Sequence, residues 1–431
     1  MKRKIDDQLL AWKKRKDRKP LIVNGARQVG KTYSIMQFAH EHFANLVVLD
    51  FSAQTSAARI FENDITPEAL LPQISAFSDQ PIDPETTLLL FDEVQACPRA
   101  LTSLKYFCER APQYHIIAAG SLLGVALDRE RYSYPVGKVD TLVLRPLDFE
   151  EYLWASEKQE LALLIRQAYA TGTSFSLHDH ALQYFSRYLL CGGLPEVTQA
   201  AVQGADLSEI RRLQNLIIEA YLADMTRYAS AVDSAKILNV WRAIPEQLAK
   251  TNHKFQYATI SSAARAYQYE TAINWLKAAG LIEFCYRIST GQTPLETFTE
   301  HDFFKLYLLD VGLLTALYGA APQDLDPRAD KGVRFRGSIT ENYVLQQLLA
   351  SGIKTYYWGQ ASQSEVEFVF RNSQNEAIPI EVKSGKNVTA RSLSAYRSAY
   401  QPPYVIRCSR KNFGEDRGIK SVPLYAAHCI S

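Results

Sequence analysis

The sequence predicts an α/β protein whose first part is built on a mostly parallel sheet, and three observations predict it. Short runs of continuous, non-alternating apolar residues at 20–23, 46–51, 87–91, 116–119 and 141–144 mark strands covered on both faces. The stretches between these runs are long enough for helices, so strand and helix alternate. The first run breaks at Gly25 and gives way to Ile35, Met36, Phe38, Ala39 and Phe43 at helical spacing, which reads as a strand, a glycine turn and a helix.

The other elements follow in order. Ile5, Leu9, Leu10 and Trp12 fall on one helical face even though the first nineteen residues hold nine Lys or Arg against three Asp. This predicts an amphipathic helix docked on a core rather than a free basic arm. After Pro146 amphipathic helical patterns run to about residue 255, broken at Cys191-Gly192-Gly193-Leu194-Pro195. Residues 259–279 read as two short helices joined by a tight turn, and 280–288 as a strand. Two helices and a β-wing suggest a winged helix. A joint rich in Pro and Asp, 321–327, places a boundary near 320 to 335, ahead of a last block of mixed helix and strand.

Composition narrows the function classes. The 431 residues suit about three domains. With 47% hydrophobic and 22% charged residues, a collagen-like or wholly disordered chain is excluded. A net charge of +2 gives no global argument for nucleic acid, so a DNA partner must be argued from local patches. No apolar run reaches about eighteen residues and the N-terminus lacks an apolar leader, which predicts a cytoplasmic protein with no membrane partner. Six cysteines without a CxxC pair or a histidine grouping read as reduced thiols.

The sharpest motif is Gly25-Ala26-Arg27-Gln28-Val29-Gly30-Lys31-Thr32, which matches GxxxxGK[ST] between a buried strand and a helix. Glycines let backbone N–H groups converge on phosphate oxygens, and the helix N-terminus adds positive potential. Lys31 reaches the outer phosphates, and the Thr32 hydroxyl can ligate Mg²⁺. A second apolar strand ends in Asp92 and Glu93. Asp92 would hold Mg²⁺, and Glu93 would orient or deprotonate the attacking water. The expected cofactors are therefore ATP and Mg²⁺. Ser121 follows another strand and is placed to bond the γ-phosphate or the lytic water, a plain turn serine being the alternative. Arg27, Arg99, Arg129, Arg131 and Lys138 are candidates for the cation that hydrolysis needs, supplied in cis or by a neighbour in an oligomer.

A separate set of carboxylates lies near the C-terminus. Residues 364–370 alternate acid and apolar, a turn follows at 372–375, and 379–383 is a second strand. Residues two apart share a face, so Glu365 pairs with Glu367, and Glu381 with Lys383. With Glu341, early in a helix over 339–349, these acids can converge on a second divalent ion, Mg²⁺ or Mn²⁺. On the suspected winged helix, Arg265, Tyr267, Gln268, Tyr269, Asn274 and Lys277 could face a major groove; a lid or packing module is the alternative.

Several long stretches resemble one family: GARQVGKTY (25–33), FDEVQACPRALTSLKYFCE (91–109), AAGSLLGVAL (118–127), YPVGKVDTLVLRPLDFEEYL (134–153), CGGLPEV (191–197), FKLYLLDVGLL (304–314) and IEVKSG (380–385). The chain resembles the prokaryotic AAA-like P-loop ATPases, close to the STAND group, that carry a C-terminal domain of unknown function, DUF4143. The resemblance implies a P-loop ATPase core at 1–147, a helical lid at 148–255, a winged helix at 256–325 and a PD-(D/E)xK nuclease-like α/β domain at 326–431. It implies that Lys138 senses the nucleotide and that Pro195 packs on the adenine. The implied nuclease-like site is Glu341, Glu367, Glu381 and Lys383. Where that fold commonly has Asp, this chain has Glu367, an arm longer by about 1.5 Å. Cleavage, and a non-cleaving fold that holds DNA or a protein partner, both stay open.

Overall fold

The computed structural model describes residues 1–121, 124, 135–227, 229–250, 254–326, 333–360, 364–384 and 391–431. They divide into two units, Met1–Arg145 with Ala278–Gly280, and Pro146–Lys277 with Leu281–Ser431.

The first unit contains α1 (Lys4–Lys14), β1 (Leu21–Asn24), α2 (Lys31–His42), β2 (Asn45–Asp50), α3 (Thr55–Arg59), α4 (Pro67–Ser78), β3 (Thr87–Asp92), α5 (Pro98–Arg110), β4 (His115–Gly120) and β5 (Asp140–Val143). Its strands form one sheet in the order β2-β3-β4-β1-β5, every pair parallel. Leu21, Ile22 and Val23 of β1 and Leu88, Leu89, Leu90 and Phe91 of β3 are buried, as continuous apolar runs require of strands packed on both faces. Phe51, Phe61 and Phe91 meet edge to face below one side of the sheet, with centroids 5.5 to 6.0 Å apart. This order brings the C-terminal ends of β1, β4 and β3 side by side, the position at which parallel α/β sheets bind ligands.

The basic N-terminus folds as expected of an amphipathic helix. Ile5, Leu9 and Trp12 are buried, and the Trp12 indole donates to the Lys19 carbonyl at 2.8 Å. Arg3 is itself buried; its guanidinium donates to the carbonyls of Val29, at 3.1 Å, and Arg145, at 2.7 Å. One of the nine cations thus braces the glycine turn from behind.

His115, the first residue of β4, lies edge-on to Trp12 and Phe43 and donates from Nδ1 to the Pro84 carbonyl at 3.0 Å. Burial, reinforced by Arg18 and Lys13, holds its imidazole down at about 4. The unfolded chain takes up a proton near the ordinary value of about 6.5, so this stabilisation is complete above that pH and is lost as pH falls toward 4. The loss is at most about 3 kcal/mol, reduced by solvent screening at this strand end. Between pH 7 and 5 the melting temperature of His115→Asn is expected to fall by less than that of the wild type. Equal slopes would show that His115 is not the acid-labile group.

The second unit opens with helices α6 (Phe149–Ala155), α7 (Gln159–Thr171), α8 (His178–Cys191), α9 (Pro195–Val202), α10 (Leu207–Arg227) and α11 (Ala231–Leu248). It continues with α12 (Ala266–Ala278), β6 (Ile282–Ile288), β7 (Thr299–Leu308), α13 (Val311–Leu317), α14 (Val333–Ala350), β8 (Thr355–Gln360), β9 (Ser364–Arg371), β10 (Ala377–Val382), α15 (Arg391–Tyr400), β11 (Val405–Ser409), β12 (Gly414–Asp416) and β13 (Ile419–Pro423). All eight strands form one mixed sheet, β12-β13-β11-β10-β9-β8-β6-β7.

Two differences from the sequence expectation follow. Strand β6, expected as the wing of a separate module at 256–325, lies with its neighbour β7 at one end of the sheet that carries the C-terminal block. β6 pairs in parallel with β8, Tyr286 opposite Tyr356, so the expected division at 325/326 falls between strands of one sheet. Of the two helices expected over 259–279, α12 is one, while the other is only a 3₁₀ turn at Tyr257–Thr259. The Ser261 hydroxyl accepts from the Ala263 amide at 3.4 Å, the local competition by which serine stops a helix.

The Cys191–Pro195 break is packed tightly within this unit. Gly192 has φ +73°, and a Cβ there would lie 2.1 Å from Asp310 Oδ1; a Cβ on Gly193 would lie 2.0 Å from the Leu147 carbonyl. Buried Asp310 accepts from the amides of Gly193, at 2.7 Å, and Leu313, at 3.0 Å, joining this break to the start of α13.

Candidate functional site

The glycine turn gains its shape from backbone that favours glycine. Gly25 has φ +152°, and a Cβ there would lie 2.2 Å from the Leu144 carbonyl. Gly30, at φ +92°, caps α2, and Gln28, at φ +66°, also enters the left-handed region. Alternation of left-handed and ordinary residues ahead of a helix turns successive amides toward one point, an anion-binding concavity.

Two pairs of side chains meet behind this turn, Lys31 with Ser121 and Thr32 with Asp92, and tie the start of α2 to the ends of β4 and β3. Lys31 is only 6% exposed. Its ammonium donates to the carbonyls of Gly25, at 3.0 Å, and Ala26, at 2.8 Å, and to Ser121 Oγ, at 2.9 Å. Burial pushes it down to about 8, although Glu93 and Asp92 pull it upward. The Thr32 hydroxyl donates to Asp92 Oδ2 at 2.8 Å, and the Glu93 amide donates to Asp92 Oδ1 at 3.0 Å. Burial raises the Asp92 carboxyl against those two bonds. Glu93 sits at φ +48° and accepts from the Gln95 side-chain amide. Asn24, last residue of β1, holds a buried side-chain oxygen with no protein partner.

This donor set fits a hydrated magnesium triphosphate. Thr32 and Asp92 present a hydroxyl and a carboxylate in mutual contact, hard oxygen ligands that leave most octahedral positions to water and phosphate. Asp92 is held by neutral donors, which yield to a cation. Ser121, placed only by position along the chain, lies within reach of Lys31 because β4 runs between β1 and β3.

The remaining predicted residues are placed as follows. Ala26 and Val29 are buried in the turn, and Arg27 is exposed on its rim. Arg99 donates to the carbonyls of Phe61 and Asn63 and so holds a neighbouring loop. Lys138 pairs with Glu109 at 2.9 Å on the surface. Arg129 and Arg131 lie outside the described residues. Pro195 is half-buried as the first residue of α9.

The C-terminal carboxylates do gather, but on cations. Lys383 Nζ lies 3.2 Å from Glu367 Oε1 and 3.4 Å from Glu381 Oε1, and Arg407 Nε is 3.0 Å from Glu381 Oε2. Fully buried Lys305, from β7, pairs with Glu365 and lies 4.0 Å from Glu341 Oε2. The Tyr307 hydroxyl donates to the same Glu341 oxygen at 3.2 Å. Burial raises the Glu367 carboxyl, opposed first by Lys383; Glu341 raises it further and Lys305 lowers it. Among the described residues, no group of three or more His, Cys, Asp or Glu side chains is placed to hold a metal. Where the sequence expects acids to converge on a second Mg²⁺ or Mn²⁺, the structure has lysine and arginine against the carboxylates. Sequence reasoning missed Lys305, Tyr307 and Arg407. The signal was present in Phe304-Lys305-Leu306-Tyr307-Leu308, a lone lysine inside an apolar strand.

Known proteins resemble the chain in parts. A model described as an AAA domain matches residues 17–153, and two models described as domains of unknown function match 182–324 (DUF8612) and 336–427 (DUF4143). No curated protein matches. Among solved structures, the Walker-type ATPase PABY2304 of Pyrococcus abyssi is 14% identical, covering 74% of this chain and 95% of that one, with a TM-score of 0.45. The ORC1 protein of Aeropyrum pernix in complex with DNA is 10% identical, covering 73% and 90%, with a TM-score of 0.29. Drosophila ORC bound to DNA is 13% identical, covering 73% and 86%, also at 0.29. No helix of the described residues is long and apolar enough to cross a membrane. The chain thus combines a P-loop AAA domain over residues 17–153 with a C-terminal DUF4143 domain over residues 336–427.

Proposed function

We propose that this protein binds ATP with Mg²⁺ at the turn 25–32 and hydrolyses it. The observation that carries the reading is the joining of Lys31 to Ser121 and of Thr32 to Asp92, which gathers the phosphate-binding lysine and the magnesium ligands at neighbouring strand ends. The turn's amides and Lys31 bind the phosphates; a triphosphate competes with the carbonyls of Gly25 and Ala26 for the ammonium. Thr32 and Asp92 hold the magnesium, which neutralises charge on the phosphate oxygens when bound. Glu93 orients the attacking water and accepts its proton, Ser121 fixes the γ-phosphate, and Lys138 contacts the nucleotide as the family resemblance implies. Phosphate release by the full chain, present with Mg²⁺ and abolished by EDTA, tests this reading; turnover that persists without a divalent ion would sink it.

DNA is the partner we propose for the second unit, gated by nucleotide state. Tyr267 is 77% exposed on α12, and Arg265, Asn274 and Lys277 of the same segment are exposed with one acid, Glu270, among them; the ring and the two cations suit nucleic-acid bases and backbone. ATP turnover with and without single- and double-stranded DNA checks this. Stimulation by either supports coupling; no stimulation, together with no gel shift at low salt, leaves a protein partner as the reading.

A further inference from the structure

A PD-(D/E)xK nuclease site works by leaving carboxylate oxygens available to a divalent ion, and the cluster in this chain does not. The four glutamates 341, 365, 367 and 381 meet Lys305, Lys383 and Arg407, which leaves at most one negative charge uncompensated. The Tyr307 hydroxyl is also committed to Glu341. Lys383 is the lysine of the ExK element, but Lys305 belongs to no such motif. It enters from β7, the far edge strand, with its side chain wholly buried, and its ammonium stands between Glu341 on α14 and Glu365 on β9. The Glu367 carboxyl feels both charges, Glu341 raising it and Lys305 lowering it. A divalent ion brought to these acids would meet an ammonium a few ångströms away that cannot withdraw into solvent, a repulsion that grows as the local dielectric falls.

We propose that Lys305 is a built-in counter-cation that takes the place of the divalent ion in this cluster, so that the C-terminal half acts without metal and cleaves nothing. The proposal rests on the nuclease-like reading of residues 326–431 and is independent of ATP turnover. Its positive consequence is that removing one charge should create a metal site: without Lys305 no ammonium stands between Glu341 and Glu365, and these two, with Glu367, which keeps Lys383 against one oxygen, form a hard-ligand set suited to Mg²⁺ or Mn²⁺.

The test is Mn²⁺ binding to nucleotide-free full-length protein, read from loss of the free-ion electron paramagnetic resonance signal. Asp92→Asn is carried in every sample to silence the nucleotide site. On that background Glu367→Gln is expected to leave the binding isotherm unchanged. Lys305→Gln is expected to gain one Mn²⁺ per chain, lost again in Lys305→Gln/Glu367→Gln. If Lys305→Gln fails to fold by circular dichroism, Lys305→Met keeps the buried stem without the charge and carries the same expected gain. A Mn²⁺ already bound with Lys305 intact and lost on Glu367→Gln overturns the proposal, as does a folded Lys305 variant with no gain. Mn²⁺-dependent plasmid nicking by the wild type that disappears in Lys383→Ala overturns it independently.

Discussion

Glu93→Gln is expected to reduce ATP turnover by about two to four orders of magnitude while leaving Mg·ATP binding intact. The range is the usual contribution of a positioned general base. The position of this side chain supports the assignment. Glu93 sits one residue past the end of β3 at φ +48°, a left-handed conformation that costs a non-glycine residue about 1 kcal/mol or more. The fold retains it because the turned backbone lets the Glu93 amide donate to Asp92 while the carboxylate projects separately and accepts from Gln95. The proposed metal ligand and the proposed base are thus locked to each other through one peptide. Glutamine keeps the shape and the backbone, so phosphate binding and the Thr32–Asp92 contact persist, and what disappears is the charge that accepts a proton. Fluorescent nucleotide titration together with single-turnover phosphate release separates the two effects. Unchanged release would remove Glu93 from the mechanism and leave the neighbouring Asp92 or a residue outside this turn as the base.

The first unit was legible because its chemistry is local in sequence. A buried strand, a glycine turn and a helix occupy one short stretch, and the spacing from Gly25 to Thr32 alone orders the loop. Asp92 was legible for the same reason, as the end of an uninterrupted apolar strand. What the sequence could not supply was the neighbour relation: Lys31 reaches Ser121, and Thr32 reaches Asp92, through a strand order in which β4 separates β1 from β3. In the second unit that limitation dominates. The strand character of 282–288 was visible, but its pairing with 355–360 closes a long loop that no local pattern records. α14 is also hard to read as a core helix, since polar residues occupy buried positions. Asn342, Gln346 and Gln347 satisfy the backbone of Leu308, Val311 and Phe149 instead of facing water. Lys305 is the same lesson at the level of charge. Its value depends on glutamates from β9 and α14, so a lone lysine in a strand reads as solvated until those elements are in place.

Lys31→Ala is expected to weaken Mg·ATP binding by about 100-fold or more, the loss of charge-assisted bonds worth roughly 3 kcal/mol to the phosphates. Its effect on folding should be far smaller, and that contrast is what identifies its role. In the resting structure the ammonium is buried and satisfied by Gly25, Ala26 and Ser121, but burial has already pushed it down to about 8, so the fold gains little from holding the charge. Alanine removes both the bonds and the burial cost, and the two oppose one another. The main strain of the turn, at Gly25 and Gly30, lies in the backbone and does not depend on the lysine. Thermal shift measures both quantities in one series. Without ligand the variant should melt within a few degrees of the wild type. With Mg·ATP at about 100 times its dissociation constant the wild type should gain roughly 2.7 kcal/mol, and the variant almost none. A variant that retains the full ligand-induced shift would mean that the turn does not grip the outer phosphates through Lys31. A variant that melts far lower without ligand would mean that the three resting bonds hold the β1 and β4 strand ends together, and the lysine's role would then be chiefly structural.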